Sequence, residues 1–410
     1  MNNQFIEYNG DIGQLEWKGS EGVVDKVRTY FKKLDFIIII TMTILIGVGL
    51  YCQQQAFMAS ADRTSLFIRQ IVFIALGYIV IIAITLIDYR ILCTLSPLFY
   101  IAMQGVLAIT LLFADNQNNV KRWITIFGIM LQPSELAKIV LILFMAYLCN
   151  RLREKMDKLY TLVILGAAAG IPMVLIILEP HLSSSLALLF IFAIMVYSSG
   201  LSYKVIGGAL AIVLPVGVAL FVAVALFNVQ LPFVQGYQIN RVLSFLSDDD
   251  EKEGQELDYQ QLQSIGAIGS GGLHGKLIDS QGDDSREFRT IYAKESDFVF
   301  AIVGEEFGFL GSFFIVFLFG VLIIRCLVIA SRATDYMGKL LMMGISGYLM
   351  FQIFVNIGVA TKFLPNTGLP LPFISNGLTS LLSAMIAIGL VLNIGMKQRL
   401  RGESGLSFND

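Results

Sequence analysis

The feature that most constrains this chain is a series of apolar blocks, each about twenty residues long. A helix of that length crosses the hydrocarbon core of a bilayer, which is roughly 30 Å thick. The blocks are continuously apolar, whereas the strands of a transmembrane β-barrel alternate with period two. Only 15% of the residues are charged, against about a quarter in soluble domains. The sequence therefore predicts an all-α, polytopic integral membrane protein.

We predict ten transmembrane helices, whose bounds are the ends of the apolar blocks. They cover approximately residues 35–52, 67–87, 91–113, 133–149, 160–178, 182–199, 204–227, 298–325, 337–360 and 378–396. Residues 35–397 then form one membrane domain with a single large extracellular loop at about 228–297. A cytoplasmic extension at 1–34 and a cytoplasmic tail at 398–410 flank this domain.

The distribution of lysine and arginine predicts the orientation, because these residues are retained on the cytoplasmic side. When the N-terminus is placed inside, most of them fall in the inner segments. The short outer segments hold Arg63, Arg69, Lys121, Arg122 and Lys362. We therefore expect both termini in the cytoplasm. The first 34 residues are polar, so we also expect no cleavable signal peptide.

Two segments outside the spans carry patterns of their own. Between residues 23 and 34, apolar residues recur at helical spacing and basic residues occupy the other face. This pattern favours a short helix on the anionic inner leaflet over a plain basic flank. The acidic run at 248–253 favours a solvated loop tip over a calcium site, because the spacing and the glycine of an EF-hand are absent.

Ionisable residues inside a membrane are costly, so each is a functional candidate. Glu135 and Lys138 lie at the start of the fourth span, and a spacing of three brings them onto one helix face, where they can pair. Two interpretations stay open for this pair. It is either a structural ion pair that fixes helix packing or the floor of a polar cavity.

Two further groups of charged residues lie near the outer surface. Lys121 and Arg122 could hold a lipid phosphate, the alternative being ordinary contact with headgroups. Glu179 and His181 lie in a hairpin too short to leave the membrane surface. A buried carboxylate there needs a partner, and His181 could be that partner or could titrate itself. We favour a structural role for Glu179 and His181.

The long outer loop and its end contain the remaining candidates. The stretch from Gly269 to Gly272 permits a turn whose amides could cup an anion, although a flexible turn is the simpler interpretation. Asp297 begins the eighth span, where it either caps the helix or acts as a general base. Glu305 and Glu306 lie about two turns deeper, so at least one of them must face protein rather than lipid.

These motifs, in this order and at this spacing, resemble the SEDS family (shape, elongation, division and sporulation), which includes the RodA, FtsW and SpoVE proteins. The resemblance extends from about residue 35 to residue 397. The motifs that carry it lie at 122–123, 132–138, 179–180, 269–273, 297–301, 305–308 and 367–375. The chain departs from the family pattern just before Asp297 and after Ser375, where Asn376 stands in place of the usual tyrosine.

The resemblance implies the SEDS fold and a peptidoglycan glycosyltransferase activity. Such a protein polymerises lipid II into β-1,4-linked glycan strands at the outer face of the cytoplasmic membrane of a bacterium, for cell elongation, division or sporulation. Its partners would be lipid II, the nascent glycan strand, a class B penicillin-binding protein and other elongation or division machinery, but no nucleic acid. Asp297 matches the family's essential loop aspartate. The candidate substrate-binding residues are Lys121, Arg122, Glu135, Lys138, Glu179, Gly269, Ser270, Gly271, Gly272 and Glu305.

The residue types suit this chemistry. A carboxylate can take the proton of an acceptor sugar hydroxyl, and cations or amide donors can stabilise a departing lipid diphosphate. The cofactor stays open, because a divalent cation could assist although the sequence contains no metal-ligand motif. Two alternatives are a lipid II flippase or other transporter, and a non-catalytic activator of the penicillin-binding protein. Transport would favour charges through the midplane and inverted repeats, whereas the unusual charges here cluster at the outer side.

Overall fold

A computed structural model of the protein describes residues 33–59, 62–113, 122–126, 129–179, 181–208, 211, 215, 252–279 and 285–404. Most of these residues are helical. The helices are α1 (Phe36–Ala56), α2 (Arg63–Leu86), α3 (Tyr89–Phe113), α4 (Pro133–Arg151), α5 (Leu159–Leu178), α6 (Leu182–Ser198), α7 (Lys252–Ser270), α8 (Lys276–Asp279), α9 (Val299–Arg332), α10 (Tyr336–Ala360) and α11 (Leu378–Ser404). Short 3-10 turns cover Phe57–Ala59, Arg153–Lys155 and Glu287–Thr290.

Within the described part of the chain, eight helices are long and apolar enough to cross a membrane: α1 to α5 and α9 to α11. Each coincides with a predicted span, and α6 is a shorter apolar helix at the position of the sixth. The predicted seventh span falls mostly outside the described residues, which show helix at 203–208. The number of ten spans therefore stays a prediction. The predicted amphipathic segment at 23–34 also lies almost entirely outside the described residues.

Three helices form the centre of the bundle. The apolar windows of α4, α10 and α11 are 67%, 72% and 78% buried, whereas those of α2 and α3 are each 22% buried. The outer helices present leucine, isoleucine and valine to the surface. A helix suits that environment because it satisfies its own backbone hydrogen bonds in lipid. Small residues let neighbouring helices approach closely, as where Gly389 of α11 lies against Ile84 of α2.

Contacts between chain segments define one end of the bundle, here called the Asp35 end. Asp35, just before α1, pairs with Arg325 of α9 and Arg399 of α11. At the same end, the Tyr89 hydroxyl of α3 donates to Asp335, which precedes α10. The helices therefore alternate in direction as the predicted spans require. The other end carries the turn before α9 and is called the Asp297 end.

The structure adds one element to the all-α prediction. A two-stranded antiparallel hairpin, β1 (Ile124–Ile126) and β2 (Ile129–Leu131), pairs Ile124 with Leu131. The strands are short and rich in β-branched residues, which favour extended backbone. The hairpin leads directly into α4, whose first residue is Pro133, a residue suited to the first helical turn. It thereby places Arg122 beside the start of α4.

The long loop of the prediction contains a docked helix. Gln261 of α7 donates to the carbonyl oxygens of Val359 and Leu364, each at 2.9 Å. Ser264 donates to the carbonyl oxygen of Ala360 at 2.7 Å. These bonds satisfy the open carbonyls at the end of α10 and hold α7 against the bundle. The acidic run at 248–253 lies outside the described side chains.

Candidate active site

Asp297 lies in the turn that precedes α9 and is half-buried. The N-cap position of α9 is Phe298, which makes no side-chain cap hydrogen bond, so Asp297 does not occupy the capping position. Its backbone amide donates to the carbonyl oxygen of Ala293 at 3.0 Å. The backbone of Gly368 lies beside the carboxylate, since a Cβ atom there would be 3.2 Å from Asp297 Oδ2. The Asp297 carboxylate therefore sits between two loops at the Asp297 end.

Glu135 and Lys138 form the predicted ion pair. Lys138 Nζ lies 2.6 Å from Glu135 Oε1, and the two side chains are 0% and 1% exposed. Gln352 of α10 donates from Nε2 to Glu135 Oε2 at 3.1 Å. Lys138 also lies over the ring of Tyr348, with Nζ 5.4 Å from the centroid. The pair therefore faces the protein interior between α4 and α10 rather than lipid.

A row of polar residues on α10 joins this pair to Asp297. Tyr348, Gln352 and Asn356 recur every four residues, which places them on one helix face. Asn356 donates from Nδ2 to the carbonyl oxygen of Asp297 at 3.0 Å, while Gln352 bonds Glu135. One helical turn, about 6 Å, separates the two contacts along α10. This row was not predicted from the sequence, although polar residues spaced four apart within an apolar span are a recognisable signal.

Arg122 and Glu179 are also in contact. Arg122 Nε donates to the backbone carbonyl oxygen of Glu179 at 3.3 Å. The Glu179 side chain is fully buried, and neither carboxylate oxygen has a hydrogen-bond partner among the described residues. Burial raises the pKa of Glu179, and the positive charge of Arg122 partly opposes this rise, so that the net pKa is about 8. Lys121, the other predicted phosphate-binding cation, lies outside the described residues.

His181 does not hydrogen-bond the Glu179 carboxylate, which corrects the suggested pairing. Its Nδ1 atom instead lies 3.3 Å from Ser134 Oγ and 3.3 Å from Gln132 Nε2. The reason is geometric: His181 immediately precedes α6 and points towards the start of α4. It thus connects the Glu179 hairpin to the segment that carries Glu135.

Contacts therefore join Arg122 to Glu179, and α10 joins the pair of Glu135 and Lys138 to Asp297. A family model described as "Cell cycle protein", FtsW/RodA/SpoVE, matches residues 32–400. The chain belongs to this family. The predicted membership is confirmed.

Relatives of known name match over most of their length. The chain is 30% identical to the probable peptidoglycan glycosyltransferase FtsW of Enterococcus hirae, over 90% of this chain and 93% of the relative. It is 30% identical to the peptidoglycan glycosyltransferase MrdB of Escherichia coli K12, over 88% of this chain and 94% of the relative.

Solved structures share the fold. A chain in a peptidoglycan synthase complex that coordinates polymerization and crosslinking superposes with a TM-score of 0.72 and 26% identity, covering 89% of this chain and 98% of that one. The rod shape determining protein RodA of Thermus thermophilus gives a TM-score of 0.63 at 24% identity, with 89% and 97% covered. The predicted fold class is therefore confirmed for this family member.

The predicted glycine-rich turn packs against α9. The amides of Gly271 and Gly272 donate to carbonyl oxygens of the same turn, at 3.3 Å and 3.2 Å. A side chain at Gly271 would collide with the backbone carbonyl of Gly304. In return, Phe309 of α9 donates its amide to Gly272 at 2.9 Å, next to a kink at Gly308 where φ is +64°. The observed contacts give Gly271 and Gly272 a packing role. Anion binding by the turn, including Gly269 and Ser270, stays a prediction.

Glu305 and Glu306 both face protein, in agreement with the expectation for at least one. Glu305 is fully buried and pairs with Lys276 at 2.6 Å. It also accepts hydrogen bonds from the amides of Glu287 and Phe288, at 2.7 Å and 2.8 Å. Glu306 pairs with Arg286 at 2.6 Å. Both carboxylates thus anchor the segment at 285–290 to α9, and a substrate contact by Glu305 stays a prediction.

Buried polar atoms of the α10 row and of the first turns of α11 lack a hydrogen-bond partner among the described residues. They are Tyr348 OH, Gln352 Oε1, Asn356 Oδ1, Ser380 Oγ and Ser383 Oγ. Such atoms are costly unless water or a ligand serves them. Within the described part of the chain, no group of three or more His, Cys, Asp or Glu residues could hold a metal ion.

Proposed function

We propose that this protein is a peptidoglycan glycosyltransferase that polymerises lipid II into β-1,4-linked glycan strands at the outer face of a bacterial cytoplasmic membrane. Its relatives in Enterococcus hirae and Escherichia coli are named for this activity. The observation that carries the proposal is the half-buried Asp297, joined through α10 to the buried pair of Glu135 and Lys138. A carboxylate at the bundle end can reach both an aqueous sugar and a lipid-anchored donor.

Asp297 acts as the general base in this proposal. It accepts the proton of the acceptor's 4-hydroxyl group as that oxygen attacks the anomeric carbon of the donor sugar. The bond between that carbon and the lipid diphosphate breaks, and the diphosphate leaves as an anion. No general acid is needed for such a leaving group. Attack opposite the leaving group converts an α-linked donor into a β-linked product.

Arg122 supplies positive charge to the diphosphate. It lies against the Glu179 hairpin, which His181 connects to the segment that carries Glu135. Because the pKa of Glu179 is about 8, this carboxyl group is mostly protonated at neutral pH and does not cancel the charge of Arg122. A guanidinium can hold a phosphate group through two parallel hydrogen bonds. Lys121, the preceding residue, provides a second cation.

The proposed orientation puts the Asp297 end outside and the Asp35 end in the cytoplasm, following the distribution of lysine and arginine. The proposed partner is a class B penicillin-binding protein, which would crosslink the strands that this chain makes. The similarity to a chain of a peptidoglycan synthase complex supports such a partner.

The test is a polymerisation assay with purified protein, its cognate class B penicillin-binding protein and labelled lipid II. Crosslinking is inhibited, so that linear glycan is the product. We expect long strands that a muramidase degrades, and none from the partner alone. Lipid II that crosses a vesicle bilayer without being polymerised would instead support a transporter. No strands from the pair, together with partner crosslinking of supplied glycan that needs this chain when the inhibitor is left out, would support a non-catalytic activator.

A further inference from the structure

The turn that carries Asp297 is fixed from outside by three successive hydrogen bonds. The carbonyl oxygen of Glu295 accepts from the amide of Asn376 at 2.7 Å. The carbonyl oxygen of Ser296 accepts from the hydroxyl of Ser375 at 2.6 Å. The carbonyl oxygen of Asp297 accepts from Nδ2 of Asn356 at 3.0 Å. Three consecutive peptide groups are thus held by α10 and by the loop at 365–377.

Asn356 connects the turn that carries Asp297 with the loop at 365–377. Its side chain is 1% exposed, and its Nδ2 group donates both to Asp297 and to the carbonyl oxygen of Leu369 at 2.7 Å. Leu369 follows Gly368, the residue whose backbone lies beside the Asp297 carboxylate. One buried amide therefore fixes both the backbone of Asp297 and the loop that faces its side chain.

Ser375 makes a similar double contact. Its hydroxyl accepts from the amide of Leu371 at 2.8 Å while it donates to Ser296. Each of the two joined segments contains a non-glycine residue with positive φ, Ala293 at +55° and Phe373 at +68°. Such a backbone is strained and persists only where its surroundings hold it. The contact of Asn376 uses the backbone amide, so it does not depend on the tyrosine that is usual in the family.

We propose that Asn356 and Ser375 are positioning residues that hold the Asp297 carboxylate at the place where it accepts the proton. This proposal rests on the proposed function and on Asp297 as the base. Rates of proton transfer between bound groups depend steeply on geometry, and a misplacement of about 1 Å can cost about a hundredfold. A loss of either hydrogen bond therefore lowers kcat while leaving the binding of lipid II nearly unchanged.

The first variants are Asn356→Leu, which keeps a branched side chain without amide donors, and Ser375→Ala. The matched control for the first is Asn393→Leu. Asn393 is equally buried, and its Nδ2 donates to the carbonyl oxygens of Ile84, Thr85 and Ile87 away from Asp297. Ser375→Thr keeps the hydroxyl and serves as the conservative variant. If Asn356→Leu does not fold, the Ser375 pair alone carries the test.

For Asn356→Leu and Ser375→Ala we expect kcat to fall about tenfold or more, with KM for lipid II within about twofold. Asn393→Leu and Ser375→Thr should retain most of the wild-type kcat per folded molecule. In an Asp297→Asn background, neither substitution should lower the single-turnover rate further, because residues that act through one group are not additive. A normal kcat in both Asn356→Leu and Ser375→Ala would overturn the positioning role. So would a substitution that lowers the rate of Asp297→Asn by the same factor as it lowers the wild-type rate.

A second readout separates this proposal from the proposed function. Amide hydrogen exchange of residues 294–298 should become faster in Ser375→Ala than in Ser375→Thr, because the turn loses one of its external bonds. Unchanged exchange in this segment would contradict the positioning role even if the enzyme is active. An inactive wild-type protein with the expected exchange difference would instead contradict the proposed function.

Discussion

Removing one partner of the buried Glu135–Lys138 pair should destabilise the protein more than replacing both partners. The two charged atoms are 2.6 Å apart, and their side chains are 1% and 0% exposed. At an effective dielectric constant of 20, this separation corresponds to about 6 kcal/mol of attraction. The desolvation of two ions offsets much of that attraction, so the net stabilisation by the intact pair is small.

The single substitutions Glu135→Gln and Lys138→Met each strand the remaining charge. The substitution Glu135→Gln retains the shape of the side chain and a carbonyl oxygen that can still accept the 3.1 Å hydrogen bond from Gln352. Stranding a buried charge costs about 3–5 kcal/mol, whereas the double variant leaves no charge to desolvate. We therefore expect each single variant to lose about 3 kcal/mol or more and the double variant to lose less than either single variant.

The measurement is a double-mutant cycle by thermal or denaturant unfolding in detergent micelles, with the four proteins compared at one pH and one salt concentration. A coupling energy of about 3 kcal/mol or more is expected. The control cycle uses Lys397 and Asp88, an ion pair whose side chains are 26% and 35% exposed and for which about 1 kcal/mol or less is expected. Additive losses for Glu135 and Lys138 would refute the reasoning.

Three further predictions concern Arg122, Glu179 and Gly368. Arg122→Gln should raise KM for lipid II or lower polymerisation, which kinetics on a well-folded variant would measure, and unchanged kinetics would exclude the diphosphate role. The pKa of Glu179 rises from 4.5 to about 8, so the folded state binds a proton that the unfolded state has lost, and the free energy of unfolding should fall by up to about 5 kcal/mol as pH rises from 4.5 to 8. Unfolding scans at several pH values should show a smaller decrease for Glu179→Gln than for wild type, and an equal decrease would contradict this prediction. Gly368→Ala puts a side chain on a residue with a φ of +72°, which should cost about 1–2 kcal/mol of stability. Its Cβ would lie 3.2 Å from Asp297 Oδ2 and should lower kcat about tenfold, and a normal kcat would contradict the claim that this Cβ displaces the carboxylate.

The sequence was sufficient to predict the apolar helices, because hydrocarbon thickness and backbone hydrogen bonding leave few alternatives. Nine of the predicted spans coincide with apolar helices, α6 among them at 17 residues. The helix within the long loop was not predicted. Its sequence is largely polar, and α7 is held by side-chain bonds to the end of α10, which no local pattern reveals.

The candidate site was predictable where a charge inside a span was conspicuous. Glu135 and Lys138 paired as helical spacing required. Asn356 and Ser375 were missed because their partners are backbone carbonyls distant in sequence. The packing of the glycine-rich turn against α9 was not predicted, because it depends on the positive φ of Gly308, which the sequence does not display.

The central claim is that the Asp297 carboxylate is the catalytic base, and the most direct test is the single-turnover rate of glycan formation by purified Asp297→Asn. The matched control is Asp335→Asn. Asp335 is a true N-cap at the other end of the bundle, accepting from the amide of Gly338 at 2.9 Å, and asparagine caps about as well. We expect the control to polymerise lipid II within about twofold of wild type. Asp297→Asn should fold, bind its partner and lose about a hundredfold or more in rate, whereas long strands made at the normal rate would contradict the claim.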